Sequence, residues 1–421
     1  MSLWRQFLTV VMLCVALLAL VHFYLVASHT LALGSFADTP VFVENAWNFL
    51  RTGELYNLTP PLAEIYSPTA YIYKFPPLYS LPYLLWLDPQ QPVPSNIYKW
   101  FFALHLLRYA IAMVLCITCF GPWRNPRWCA LVISLFCLSA PWVESIFGLT
   151  FDNLLLFCWV LCLLLLHSRW RRHAAWLLMY AAIAKLYPVI QLLAFGFSRM
   201  GWRLLWHCGL VGLVLLSLAV WAFGIMNTLA YYTDILPVLL REEISILPNN
   251  MSLISHWSLA TGLPKSWFAM PLVILSAAFL LWVTRQLRSF PGGSAEVVRL
   301  EQLLFVFVTP LVLLLLTNYW GNYQLVLLLP IVVLLGGAMQ EYCATRVTRW
   351  LVLLIAALPQ LASANYPALL LPYMDLLLRY YPEEWRTVIG FRHYTPLVLW
   401  AGSALVLLGE LRAVQRKNAI L

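Results

Sequence analysis

Long apolar runs, each close to the roughly 20 residues that carry a helix across a bilayer, recur through this sequence and leave few folds open to it. Runs able to cross once lie at 8–31, 97–120, 128–147, 150–166, 203–225, 267–284, 301–317, 324–340, 350–372 and 394–411. Hydrocarbon offers no hydrogen-bonding partners, so a spanning segment must be a helix or part of a closed barrel, and runs of this length select helices. The expectation is an all-α polytopic membrane bundle with about 10 full spans. Composition excludes the alternatives. With 62% hydrophobic and 10% charged residues and a mean hydropathy of +0.80, the chain fits neither a soluble globular protein nor a disordered one.

Charge then sorts the loops. Arg124 and Arg127, Arg169 to Arg172, Arg199 and Arg203, Arg285 to Arg299, Arg346 and Arg349, and the tail at Arg412, Arg416 and Lys417 form basic segments between spans. The acidic residues fall mostly on the opposite side. By the positive-inside rule both termini and the basic loops are cytoplasmic, in the cell (inner) membrane. A net charge of +9 is thereby accounted for without a nucleic-acid partner. The run from Phe7 to Leu31 is too long for a signal peptide and reads as an uncleaved first span. No internal repeat or soluble domain is visible, so residues 1–421 read as one membrane domain.

One segment breaks the alternation. The loops at 167–173 and 198–203 are both basic, yet the residues between them are too few for two full crossings. Residues 174–197 are therefore expected to form a hairpin of two short helices, with its tip at Lys185-Leu186-Tyr187-Pro188, where proline denies the helix a donor. Irregular backbone at membrane depth belongs inside protein or beside a water-filled cavity. A cavity from the outer face down to Lys185 is the consequence. The outer loops at 32–96, 226–266 and 373–393 hold most of the remaining polar chemistry.

The candidate chemistry is sparse. Asp38 follows the first span in Ala37-Asp38-Thr39-Pro40, a good N-cap setting, and the same carboxylate could serve as a general base at the mouth of a cavity. Lys185 at membrane depth is a functional candidate whose natural partner is a phosphate, with Glu144 or Asp152 as structural alternatives. Arg108, mid-span, could grip a phosphate bidentately or pair with Asp152. Tyr73-Lys74-Phe75-Pro76-Pro77 closes the first outer loop. Asn250, Trp320, Asn322 and Tyr323 set amides and rings at span ends, where aromatic anchoring and a sugar pocket are both served. His256 lies in the second outer loop. Nine cysteines fall in or beside apolar runs without metal-ligand spacing, and no Walker loop or HExxH is present.

Taken in order, these motifs resemble glycosyltransferase family 87 of the GT-C superfamily. Asp38-Thr-Pro-Val-Phe42 with Gly53-Glu-Leu-Tyr56 is like the family's Asp-x-x-x-Tyr and Gly-x-x-Tyr. Tyr73-Lys-Phe-Pro76-Pro77-Leu78 is like Tyr-Pro-Pro-Leu, and Asn153-Leu-Leu-Leu with Lys185-Leu-Tyr-Pro188 is like Asn-x-Leu-Leu and Lys-x-x-Pro. Asn250-Met-Ser252 resembles Asn-Gln-Ser, and Trp320-Gly-Asn322-Tyr323 resembles Ser-Trp-x-His-x, with Asn322 where the family has His. The resemblance implies a GT-C-type helical bundle that takes a hexose, mannose first, from a polyprenyl-phosphate-sugar donor to a lipid or glycan acceptor on the outer face, with inversion. It implies Asp38 as the base, Lys185 and Arg108 on the donor phosphate, and Tyr73, Lys74, Asn250, His256, Trp320, Asn322 and Tyr323 around the substrates. No metal or other cofactor is expected, because the cations are side chains. A lipid or solute transporter using the same cavity is the competing reading.

Overall fold

The computed structural model describes residues 3–33, 39–56, 75–94, 96–139, 142, 145, 152–166, 170–185, 187–198, 201–239, 252–290, 295–316 and 391–420, and among these every regular element is helical. The first two helices are α1 (Leu3–Leu33) and α2 (Thr39–Thr52), followed after a 3-10 turn at Pro77–Tyr79 by α3 (Leu81–Leu84). Then come α4 (Ile97–Cys119), α5 (Pro126–Cys137), α6 (Asp152–Leu166), α7 (Ala174–Ala184), α8 (Leu192–Phe197) and α9 (Gly201–Ala230). The remainder are α10 (Leu236–Leu239), α11 (Leu253–Thr261), α12 (Lys265–Ser289), α13 (Ala295–Leu315) and α14 (Phe391–Ile420).

Six helices are long and apolar enough to cross a membrane: α1, α4, α9 extended through a π-helical turn to Ile235, α12, α13 and α14. Two expected spans take shorter form. The run at 150–166 yields α6, whose 15 residues rise only about 22 Å against a hydrocarbon layer of about 30 Å. The run at 128–147 yields α5, 12 residues long. A short helix is tolerated where neighbours rather than lipid surround it, and α6 is packed that way: Leu155, Leu156, Trp159, Val160, Cys162 and Leu163 are all buried. The expected spans at 324–340 and 350–372 lie outside the described residues.

The core follows from who packs on whom. Helix α13 lies against α14, and its apolar window is 83% buried, whereas that of α1 is only 17% buried. Helix α1 packs chiefly on α5, α6 sits between α4 and α7, and α7 lies along α9. Close packing of α8, α9 and α7 is made by small residues. A side chain on Gly201 would strike the Gly196 carbonyl at 2.2 Å, and one on Gly212 would meet Met179 at 2.7 Å. Thus α9 starts against the end of α8 and passes α7 about three turns on.

Polar side chains fasten the helix ends that carry the arginines. Gln302 Nε2 donates to the Leu163 carbonyl at 2.9 Å, Thr284 Oγ1 to the Phe197 carbonyl at 2.9 Å, and Gln415 Nε2 to Gln286 Oε1 at 2.9 Å. Arg299 Nε meets Glu410 Oε1 at 3.2 Å, with the carboxylate side chain only 4% exposed. Arg127 Nε donates to Thr9 Oγ1 at 2.7 Å, tying α5 to the start of α1. We refer to this side, which bears Arg171, Arg172, Arg203, Arg285 and Arg288, as the basic end.

Candidate active site

At the other end of the bundle, the chain that follows α2 is held by specific backbone chemistry. Helix α2 stops at Gly53, whose φ of 78° is the left-handed conformation glycine adopts at no steric cost, and whose N–H donates to the Phe49 carbonyl at 2.8 Å. The turn aims the next residues at α9. Asn227 Oδ1 accepts the Leu55 N–H at 2.9 Å, and Asn227 Nδ2 donates to the Gly53 carbonyl at 2.9 Å. Asn227 can reach because α9 breaks at Gly224, where φ 79° and ψ 157° lie in a region almost confined to glycine. Tyr56 Oη then donates to the Phe75 carbonyl at 2.7 Å. That hydrogen bond joins the Gly-x-x-Tyr segment to the Pro-Pro segment 19 positions on.

The Pro-Pro segment is buried rather than exposed. Pro76 is extended, Pro77 opens a 3-10 turn, and Pro77, Leu78 and Tyr79 are all buried. Phe42 of α2 packs its ring on Phe75 and Tyr79 with centroids 4.9 and 4.5 Å apart. Leu78 joins Val211, Leu215 and Ala219 of α9 in a cluster on which Tyr180 and Ile183 of α7 also pack. Ile183 stands two residues before Lys185.

Lys185 ends α7. Its N–H donates to the Ala181 carbonyl at 3.0 Å, and its own φ of −150° and ψ of 57° leave the helix. The 11 residues of α7 climb roughly 17 Å from the Arg171–Arg172 turn, about half of a hydrocarbon layer of about 30 Å. Pro188 falls in a 3-10 turn at Tyr187–Gln191 before α8 begins. Arg108 lies at the midpoint of the 23-residue α4. Its guanidinium is within electrostatic reach of Cys158 on α6 and Tyr180 on α7. Both cationic side chains are half-buried. The structure thus gathers Arg108, the upper part of α7 leading to Lys185, and the Pro-Pro-Leu segment around one apolar seam.

Helix α13 links this seam to the start of α11. Gln191, fully buried at the end of the 3-10 turn, donates through Nε2 to the Phe305 carbonyl at 3.3 Å and to Thr309 Oγ1. Seven residues further along, a rise of about 10 Å, the Leu316 carbonyl accepts from Ser252 Oγ at 2.6 Å. Ser252 also caps α11, accepting from the Ser255 N–H at 3.3 Å. The serine of the Asn-x-Ser motif is therefore a cap and a clasp to the residue that precedes Thr317 and the Trp320 motif. His256 stands half-buried one turn into α11, the helix whose Leu253 and Ile254 join Leu272 and Leu314 in a separate cluster.

Of the residues singled out from sequence, Arg108, Lys185 and His256 have described positions. Asp38, Tyr73, Lys74, Asn250, Trp320, Asn322 and Tyr323 lie outside the described residues, as do the side chains of Asp152 and Glu144 and the mouth of the expected outer cavity. Two positioning residues went unnoticed in the sequence. Gln191 is an amide inside an apolar hairpin, and Asn227 an amide near the end of a span. Each is a polar group where hydrocarbon would penalise it unless bonded, and that was the available signal.

Comparison with known proteins adds one finding. The sequence model described as glycosyltransferase family 87 matches residues 73–317, more than half of the 421 in the chain. The match takes in Tyr73, Lys74, Arg108, Lys185, Asn250 and His256; Asp38 precedes it, and Trp320, Asn322 and Tyr323 follow it. No curated protein and no solved structure matches.

Proposed function

Because the chain belongs to glycosyltransferase family 87, a family of membrane glycosyltransferases, we propose that it moves a hexose, mannose first, from a polyprenyl-phosphate-sugar donor to a lipid or glycan acceptor. In this reading the acceptor hydroxyl gives its proton to the Asp38 carboxylate as its oxygen attacks the anomeric carbon. The bond from that carbon to the phosphate oxygen breaks, its electron pair stays with the phosphate, and polyprenyl phosphate departs from the opposite face. Configuration inverts in this single displacement. The leaving phosphate needs no proton to depart, so one carboxylate suffices where a glycosidase needs two.

The observation that carries the reading is the pair of basic side chains, Arg108 at the middle of α4 and Lys185 at the end of α7, beside a shared seam at membrane depth. Cations placed in advance where negative charge develops act strongly in a poorly hydrated site. Tyr73, Lys74, Asn250, His256, Trp320, Asn322 and Tyr323 supply the sugar and acceptor contacts in this proposal. The Arg-rich loops support a placement in the cell (inner) membrane with cytoplasmic termini and a site opening on the outer face.

The test uses purified protein in lipid, radiolabelled polyprenyl-phosphate mannose, glucose and galactose, and a membrane-extract acceptor pool. Wild type is expected to form a new glycosidic bond, and Asp38→Asn to bind donor but transfer at least about 100-fold more slowly, the lower range for loss of a general base. Equal transfer by the two proteins makes Asp38 a helix cap only. Cargo moved across the membrane chemically unchanged favours the transporter.

A further inference from the structure

A cavity of about 300 Å³ opens at the basic end, between the last turn of α8 and the last turns of α12. It is lined by Gly196, Phe197, Leu281, Thr284, Arg285 and Arg288, with no acidic side chain among them. Lys185 stands at the opposite end of α7 from the Arg171–His173 turn, and it is not among the lining residues. The Thr284 hydroxyl is already committed to the Leu280 and Phe197 carbonyls at 2.7 and 2.9 Å. The unsatisfied polarity belongs to the arginines. Three residues apart, they share one helix face. Both are exposed, and among the described residues neither takes part in an ion pair.

The same face of α12 continues toward the membrane interior as an apolar stripe. Ile274, Ala278 and Leu281 are exposed on it, Ile274 at 60% and Leu281 at 62%. At 1.5 Å per residue the stripe from Ile274 to Arg285 is about 17 Å long, comparable with most of an acyl chain. A free anion would use the two guanidinium groups and leave the stripe idle. A lipid with an anionic headgroup uses both, since a phosphodiester fits the arginine fork and the chain covers the stripe. A zwitterionic headgroup would bring its own cation against the arginines.

We propose that this cavity seats the phosphate headgroup of an anionic phospholipid, with an acyl chain laid along Ile274, Ala278 and Leu281 of α12. Basic pockets between spanning helices suit such headgroups, and one basic residue near an anionic surface strengthens binding roughly fivefold, so the pair is worth about thirtyfold.

The experiment measures radiolabelled lipid retained by the purified full-length protein after size-exclusion chromatography in detergent doped with phosphatidylglycerol or phosphatidylcholine. Wild type is expected to retain phosphatidylglycerol in preference. The R285Q/R288Q double variant should lose that retention by about thirtyfold, while R171Q/R172Q, equally charge-depleted at the same end but away from the cavity, should keep it. Equal retention of the two lipids by wild type overturns the proposal without recourse to any variant. Loss in both double variants also overturns it, because the effect is then bulk charge. Displacement of phosphatidylglycerol by millimolar inorganic phosphate overturns it in favour of a soluble anion. The readout is lipid binding, so its outcome is independent of whether sugar is transferred.

Discussion

Lys185 and Arg108 occupy positions where an ionisable side chain costs roughly 3 kcal/mol or more in a spanning helix. Retaining them is reasonable only if something at that depth uses the charge. If the use is the leaving phosphate, Lys185→Met should lower turnover at saturating donor by about 100-fold or more, the scale for removing one preorganised electrostatic contact. Helix content, read by circular dichroism, should be unchanged. Arg108→Lys should not rescue a bidentate contact, because an ammonium cannot reproduce the planar fork. A different kind of residue, Asn227, holds the Gly53 to Tyr56 segment through two hydrogen bonds at 2.9 Å. Asn227→Ala leaves a backbone donor and acceptor without this partner, at about 1–3 kcal/mol. The expected signs are a lower thermal midpoint and faster amide exchange at Leu55. In the sequence Asn227 was one amide among many, whereas Gly53 and Tyr56 stood out by motif. The partner of a motif is a matter of distance in space, and 174 positions separate Gly53 from Asn227.

At the scale of elements, breaks matter more than helices. Helix α9 is a 30-residue element interrupted at Gly224, and α7 stops at Lys185. The first break turns Asn227 toward Gly53 and Leu55, and the second ends α7 at Lys185. Gly53 and Gly224 have open space where a Cβ would stand, so substitution there tests backbone torsion alone. Gly53→Ala should cost about 1–2 kcal/mol for a left-handed residue. Gly224→Ala should cost more, because its φ and ψ are nearly closed to other residues, and should either destabilise the protein or straighten α9. Straightening would release residues 53–56, so limited proteolysis near them should accelerate in Gly224→Ala and much less in Gly53→Ala. The break at Lys185 was legible, since two basic loops lie too close for two crossings and Pro188 stands between them. The break at Gly224 was not, because a glycine within an apolar run is ordinary in spanning helices and its φ depends on what the next turn must contact.

For the whole molecule, the two ends are built differently. The basic end is cross-tied by side-chain amides and by the Arg299–Glu410 pair at 3.2 Å. Removing only the cation by Arg299→Met takes the paired charge from a buried carboxylate and should cost about 3 kcal/mol, while Arg299→Met with Glu410→Met should recover most of it. Thermal unfolding of the two variants in one detergent separates the cases. By itself, the sequence determined the helical class, the positions of most of the described apolar helices and the family, because lipid forbids unpaired backbone and demands apolar length. Tertiary structure decided which apolar helix is central. Helices α1 and α13 both qualify as spans, yet α13 is 83% buried and α1 17%. Lipid tails are as apolar as leucine, so hydropathy cannot tell a helix facing lipid from one facing protein. Packing of small residues and interhelical hydrogen bonds, among them those from Gln191, Gln302, Thr284 and Gln415, made that choice.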